Sequence, residues 1–197
     1  SPLLVFPTNL APVAPVQVEI YSALATVNPL TGAGGWNASG NGAIQDLLNA
    51  LTLTNYIAKI PNIVGYVPHF GWNTNFQSGA ATMDNYLGRI YANYIPPSTG
   101  LYKFYVAVDD TAQLLMNTSA VNSTDPAGKV LLVQRNTANA SYDTAAVAQN
   151  VSLVAGQKYY IEAVFKENTG GDGFALAVRA QSDGATPPAA EVVSSSN

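Results

Sequence analysis

The stretch from Gly100 to Asn117 constrains this chain more than any other, because its side chains alternate with the period of a β-strand. Aromatic or β-branched residues occupy every second position of its first half: Tyr102, Phe104, Val106 and Val108. This alternation predicts a strand with one buried face. Asp109 and Asp110 follow directly, and an apolar run resumes at Gln113. The two adjacent acids are therefore expected at the rim of a sheet, where one strand ends and the next begins.

Other short segments have the same character and are separated by turn residues. They are 16–21, 87–95, 129–134, 151–154, 159–166 and 175–179. Strands at such spacing, with no regular alternation of strand and helix, predict an antiparallel β-sandwich or barrel. The exception is Ala43–Leu51, where Ile44, Leu47, Leu48 and Leu51 have helical spacing. We therefore expect an all-β antiparallel β-sandwich with one short helix and long loops.

The segment between this helix and the strand at 87–95 is mixed. Ile57, Ile60, Ile63 and Val64 suggest a short strand, whereas 67–72 and 73–84 have the composition of loops. Trp36, in a loop rich in glycine and asparagine at 28–42, is interpreted as a local anchor, and stacking on a sugar ring is the alternative.

Composition excludes several classes of function. The chain has 197 residues, of which 48% are hydrophobic and 10% charged, so one β domain with a full core is expected. A net charge of -4 with eight basic residues argues against nucleic acid and anionic membrane surfaces as partners. No apolar run reaches the roughly 20 residues that membrane insertion requires. There are no cysteines, and a single histidine, His69, leaves a zinc site without its usual ligands.

Residues 1–15 form an apolar segment that four prolines interrupt. Proline supplies no ladder donor, so this reads as an extended N-terminal arm. The arm either folds over its own domain or docks on a neighbouring copy. The β domain is expected to cover 16–182, and 183–197 has the composition of a linker or tail. The first residue is not methionine, which is consistent with removal of an export signal.

The order of these segments resembles the PA14 family of β-sandwich modules, as found in bacterial extracellular and adhesin proteins. The resemblance rests on the strand 87–95, the turn 96–100, the Asp109-Asp110 pair, the hairpin 154–162 and the tail 165–178. It covers roughly residues 16 to 182 and is strongest from 85 onward.

The resemblance implies a cis peptide bond between Asp109 and Asp110 that turns both carboxylates toward one calcium ion. A second loop, 167–173, would complete the metal site. Its implied metal ligands are Asn168 and Asp172, with Glu167, Thr169, Gly170 and Gly171 as further ligand-binding residues. The alternative is that the two aspartates cap a turn and bind nothing. This loop also lacks the aromatic residue that some lectins of the family place beside the sugar.

We therefore predict a non-enzymatic extracellular or cell-surface adhesion module that recognises glycan or polysaccharide hydroxyls through calcium. The alternative is a glycosylated structural subunit of a surface filament or matrix, which would self-associate by adding residues 1–15 as a strand to a neighbouring sheet. Five Asn-X-Ser/Thr sequons are compatible with it: Asn37, Asn117, Asn122, Asn139 and Asn150. A hydrolase is disfavoured, because its carboxylates would have to come from the acids assigned to calcium and His69 has no nucleophile motif nearby.

Overall fold

A computed structural model describes residues 16–22, 44–72, 85–168 and 171–188 of the chain. Ten strands are assigned in these segments: β1 Val16–Ser22, β2 Ile63–Val67, β3 Gly71–Trp72, β4 Tyr86–Tyr94, β5 Gly100–Asp109, β6 Thr111–Met116, β7 Val130–Arg135, β8 Val147–Leu153, β9 Tyr159–Glu167 and β10 Gly173–Ala180. The helices are α1 Ile44–Ala50, α2 Thr54–Ile57 and a 3-10 turn at Pro126–Gly128. None of these helices is long and apolar enough to cross a membrane.

The strands form two sheets, and every pairing between them is antiparallel. One sheet has six strands in the order β2-β1-β4-β9-β6-β7, and the other has four in the order β3-β10-β5-β8. The inner faces enclose one apolar core, to which Phe104, Ile161, Phe165 and Phe174 contribute fully or almost fully buried side chains. Phe165 of one sheet stacks on Phe174 of the other, with ring centroids 5.4 Å apart. The predicted all-β antiparallel sandwich is confirmed.

The outer face of the six-stranded sheet is covered in part by α1. Leu47 and Ala50 of this helix pack on Tyr21, Leu87 and Val164 of the sheet. The helix was expected at 43–51 and is described from Ile44 to Ala50. Leu48, which the sequence assigned to the apolar face, is instead 41% exposed.

The prediction of a strand around Ile57 is wrong, because Ile57 ends the second short helix, α2. The strand begins only at Ile63, after Pro61. Proline at that position supplies no backbone donor, which explains why pairing with β1 starts beyond it. The predicted loop at 67–72 also ends in the two-residue strand β3.

The rest of the same outer face carries a buried ion network. Arg89 donates to Glu19 and to Glu162 at 2.8 Å each, and Lys129 lies 3.4 Å from Glu162. Tyr160 also donates to Glu162. Helix α1 and this network together explain why β9 is buried along both faces.

Two of the five sequons have structural roles in the fold. Asn117 is 2% exposed, and its amide donates to the backbone carbonyls of Asn122 and Asp125. The amide of Asn139 donates to Asp143 at 2.6 Å. Asn122 and Asn150 are exposed. Four predicted segments lie outside the described residues: the arm 1–15, the loop 28–42 with Trp36 and Asn37, the loop 73–84 and the tail from 189.

Candidate functional site

The chain crosses between the two sheets twice at one tip of the sandwich. β5 ends at Asp109 in the four-stranded sheet and β6 begins at Thr111 in the six-stranded sheet, so Asp110 alone connects them. β9 ends at Glu167 in the six-stranded sheet, and β10 begins at Gly173 in the four-stranded one. Because β10 pairs with β5 and β9 pairs with β6, the two crossings lie side by side.

The peptide bond between Asp109 and Asp110 is cis, as the resemblance implies. The two carboxyl groups interact, and each affects the pKa of the other. Burial, followed by the charge of Asp110, raises the pKa of Asp109 from 3.8 to about 6. Burial also raises the pKa of Asp110. A cation between these groups would remove the repulsion between their ionised forms.

Asn168 connects the second crossing to the acid pair through its backbone. Its N–H donates to Oδ2 of Asp110 at 2.9 Å, and its carbonyl accepts from the N–H of Asn85 at 2.8 Å. Gly171 is half-buried, and Thr169 and Gly170 lie outside the described residues. The backbone of Asn168 is therefore held against Asp110.

Asp172 is 3% exposed and belongs to a chain of hydrogen bonds. The hydroxyl of Tyr86 donates to its Oδ2 at 2.9 Å, and Nε1 of Trp72 donates to the Tyr86 oxygen at 3.0 Å. Burial and then the negative charge of Asp172 raise the pKa of Tyr86, which keeps the phenol a donor. Trp72 and Tyr86 were not among the predicted site residues, since no sequence spacing relates them to position 172.

Glu167 is fully buried, and neither of its side-chain oxygens has a hydrogen-bond partner within the described part of the chain. Burial raises its pKa from 4.5 to about 9, and the neighbouring charges of Asp110, Asp109 and Asp172 add to the effect. Because side chains alternate along β9, Glu167 lies on the same face as Phe165, at the end of the core. Its partner on β4 is Tyr86. Its two oxygens are the clearest unfilled acceptors of the tip.

Lys166 lies on the face of β9 that points away from the core between the sheets, yet it is only 1% exposed. The reason is tertiary: α1 packs over this part of the outer face and brings Asp46 near the lysine. Nζ of Lys166 donates to the backbone carbonyl of Glu167. Burial lowers the pKa of Lys166 to about 8, although the negative charge of Asp110 acts in the opposite direction. The lysine thus stabilises both crossings.

The side chains of the tip are hard oxygen donors, which is the chemistry that calcium prefers. Four carboxyl groups interact here, those of Asp109, Asp110, Glu167 and Asp172. Across the described ranges, no three His, Cys, Asp or Glu side chains are arranged so that they could hold a metal ion by themselves. Calcium takes six to eight ligands and accepts backbone carbonyls. The tip thus offers oxygen donors of the kind that calcium binds, and an ion there would need backbone ligands as well.

The fold and tip together define a class of protein, a two-sheet antiparallel β-sandwich with a cluster of acids where the chain crosses between the sheets. The family model of the PA14 domain matches residues 48–187. This chain belongs to the PA14 domain family. A comparison with curated proteins found no match.

Several solved structures share the fold at low sequence identity. The PA14 domain of the MpAFP antifreeze protein is 12% identical, with a TM-score of 0.56, over 92% of this chain and 87% of that one. The epithelial adhesin 6 A domain from Candida glabrata, solved with Galβ1-3GlcNAc, is 18% identical, with a TM-score of 0.54, over 91% and 85%. An anti-sigma factor domain-containing protein is 16% identical, with a TM-score of 0.53, over 90% of this chain. This chain spans 47% of that protein.

Proposed function

We propose that this chain is a non-enzymatic adhesion module of an extracellular or cell-surface protein, which recognises carbohydrate hydroxyls through calcium held at the acidic tip. Asp109, Asp110, Asn168 and Asp172 would hold the ion, and Glu167 and the loop 169–171 would line the site. The buried, unpartnered oxygens of Glu167 beside the acid pair are the observation that carries the proposal. An acid that is buried without a partner is costly, and a cation at this position would remove the cost.

The structural relatives supply the ligand class. Four of the similar structures are epithelial adhesin domains from Candida glabrata, solved with Galβ1-4GlcNAc, β-lactose or Galβ1-3GlcNAc. Each of these ligands is a galactoside with several free hydroxyl groups. A bound calcium ion with open coordination positions supplies a site for neighbouring sugar hydroxyls. A glycan is therefore the ligand class that we assign to this chain.

The chain's own residues would orient the site before any ligand arrives. The Asn168 N–H holds Oδ2 of Asp110. The Tyr86 hydroxyl holds Oδ2 of Asp172. Lys166 fixes the backbone at Glu167 through its hydrogen bond to the carbonyl. Such contacts to ligating groups restrict their motion, which favours tight and selective binding.

Calorimetry of the full chain after treatment with a chelator tests the metal site. Calcium is titrated into the wild type, Asp109→Ala and Asp110→Ala, with Asp183→Ala as the matched control. Asp183 pairs with Arg179 and is not one of the acids of the tip. We expect binding in the wild type and the control and its loss in the two tip variants. Unchanged calcium uptake by Asp109→Ala would exclude the proposed site.

The sugar proposal is tested separately on a glycan array, with calcium and with chelator. We expect retention of galactose-containing glycans only with calcium, and none by Asp109→Ala. Calcium binding in the calorimeter without retention of any glycan would leave the metal site standing and remove the sugar function.

The filament alternative depends on residues 1–15, which lie outside the described residues. The binding module is therefore the function that we propose, because its residues and their contacts can be named.

A further inference from the structure

Among the edge strands that the structure describes, β2 has the least protected free edge. β2 pairs with β1 along one side, and no other described strand lies on its second side. Ile63, Val64 and Tyr66 are 44%, 51% and 64% exposed. Ile57 and Ile60, just before the strand, are 65% and 66% exposed. Five of the twelve large exposed apolar side chains of the described chain thus lie within ten residues.

The other edges carry features that discourage pairing with a further strand. β7 ends in Arg135, directly follows Lys129 and has a register shift against β6. β8 contains Asn150 with a φ of 58° and has a register shift against β5. β3 is only two residues long. Charges, irregular backbone and short length are the usual ways in which natural edges avoid further pairing.

β2 has none of these features. Its five residues, Ile63–Val67, include no charge and no proline, and its register with β1 is continuous. Pro61 and Pro68 stand outside the strand and limit the length available for pairing. An uncharged, regular and apolar edge strand is a template for another strand.

We propose that β2 pairs with β2 of a second copy of this chain, antiparallel and about a two-fold axis at Gly65. In this register Val64 of one copy lies opposite Tyr66 of the other, and Ile63 lies opposite Val67. Each of these pairs occurs twice because of the symmetry, and all are apolar. Pairs of an aromatic and a β-branched residue are favourable across strands. A shift by one residue would exchange the inner and outer faces, and a shift by two would bring a flanking proline into the ladder.

The symmetry makes the assembly a closed dimer. The same strand is used by both copies, so the contact is isologous and ends with two subunits. The two six-stranded sheets would become one continuous sheet of antiparallel strands. The proposal does not depend on calcium or on glycan binding.

The N-terminal segment is a poorer match for this edge than a second β2. Prolines divide this segment at positions 2, 7, 12 and 15. The longest proline-free runs, 3–6 and 8–11, have four residues each, whereas β2 has five. A proline that faces the partner strand contributes no donor. The second copy supplies an uninterrupted strand of equal length.

Gly65 offers a direct test, because a Cβ built on it meets no atom within 4 Å. A longer side chain at this position is therefore accommodated in the single subunit. At the two-fold axis, however, the two copies of residue 65 lie directly opposite each other. Like charges there would oppose pairing, and unlike charges would favour it.

Sedimentation velocity of the full chain over a range of concentrations measures the effect. We expect the wild type to shift from monomer to dimer as concentration rises, and Gly65→Lys and Gly65→Glu each to remain monomeric. An equimolar mixture of the two variants should again form a dimer. Leu131→Lys, which adds a charge at the exposed position 131 of β7, is the matched control and should dimerise like the wild type.

Two results would overturn the proposal. One is a wild type that stays monomeric at every concentration. The other is a dimer that persists in Gly65→Lys but disappears when residues 1–15 are deleted, which would assign the contact to the N-terminal segment. Circular dichroism of each variant confirms that a lost dimer is not a lost fold.

Discussion

The backbone N–H of Asn168 donates to Oδ2 of Asp110 at 2.9 Å, so the second crossing between the sheets is held directly against the first. Two segments that lie 58 residues apart in the chain thereby form one tip. The contact uses Oδ2 of Asp110 and a backbone group of Asn168. The Asn168 N–H is therefore a positioning group for the carboxylate of Asp110.

The hydroxyl of Tyr86 is predicted to act as a positioning group for Asp172. Tyr86→Phe removes its hydrogen bonds to Asp172 and Trp72 and leaves the ring in the core. If Asp172 ligates calcium, affinity should fall about 10-fold to 100-fold, the usual effect of losing an outer-shell partner. Calorimetry measures this, with Tyr94→Phe at the other end of β4 as the control. Equal affinities for the Tyr86→Phe variant and the wild type would remove the assigned role.

The stability of the metal-free chain is predicted to fall as pH rises. The pKa of Glu167 is raised from 4.5 to about 9 on folding. Between these values the folded state holds a proton that the unfolded state has released, so the free energy of unfolding decreases with rising pH. Below pH 4.5 both states are protonated and the effect is absent.

Urea unfolding in chelator, at a series of pH values between 4.5 and 9, measures this dependence. Glu167→Gln should flatten it across the whole window. Asp109→Asn is the comparison variant: it should alter mainly the part below about pH 6, where the pKa of Asp109 lies, and should move the upper end of the window slightly down, because the charge of Asp109 adds to the shift of Glu167. A Glu167→Gln variant with the slope of the wild type would contradict the assignment to Glu167.

Gly88 of β4 is predicted to tolerate no side chain. A Cβ at this position would lie 2.2 Å from Cζ of Phe165, whose ring is buried in the core between the sheets. Gly88→Ala should therefore cost about 1 to 3 kcal/mol of stability through overpacking. Gly100→Ala, where a Cβ meets nothing within 4 Å, is the control and should change stability little. Thermal and urea unfolding of both variants would show the difference.

The guanidinium of Arg89 is predicted to be the largest electrostatic contributor to the outer face. Its removal in Arg89→Ala leaves Glu19 and Glu162 buried without their main partner. Loss of one partner from a buried ion pair typically costs about 3 to 5 kcal/mol. Arg179→Ala, which removes a more exposed pair with Asp183, should have a much smaller effect. Similar losses in the two variants would mean that the buried network contributes little.

Much of the tip was predictable from local pattern. Strand alternation up to Val108, followed by two aspartates and a new apolar run, predicts a strand junction, and the structure has β5 end at Asp109 and β6 begin at Thr111. The glycine-rich acidic segment 167–173 was assigned to the same site only through the family resemblance. The cis bond between the aspartates could be expected only from the family resemblance, since no residue pattern by itself specifies it.

Local pattern could not assign Lys166 and Glu167 correctly. Alternation places Lys166 on the outer face and Glu167 on the inner face. It does not predict that α1 covers Lys166 or that the end of the core encloses Glu167. Both are buried by segments distant in the chain. For the same reason Tyr86 and Trp72 were absent from the predicted site.

The sequence by itself determined the β class of this protein and the strand junction at Asp109 and Asp110, because these follow from side-chain period and turn chemistry between near neighbours. Only the tertiary structure decided that β5 and β6 belong to different sheets, that the two crossings meet, and that β2 is an open edge. The physical reason is that a side-chain period specifies which face of a strand is buried, whereas neighbouring strands are chosen by packing between distant segments.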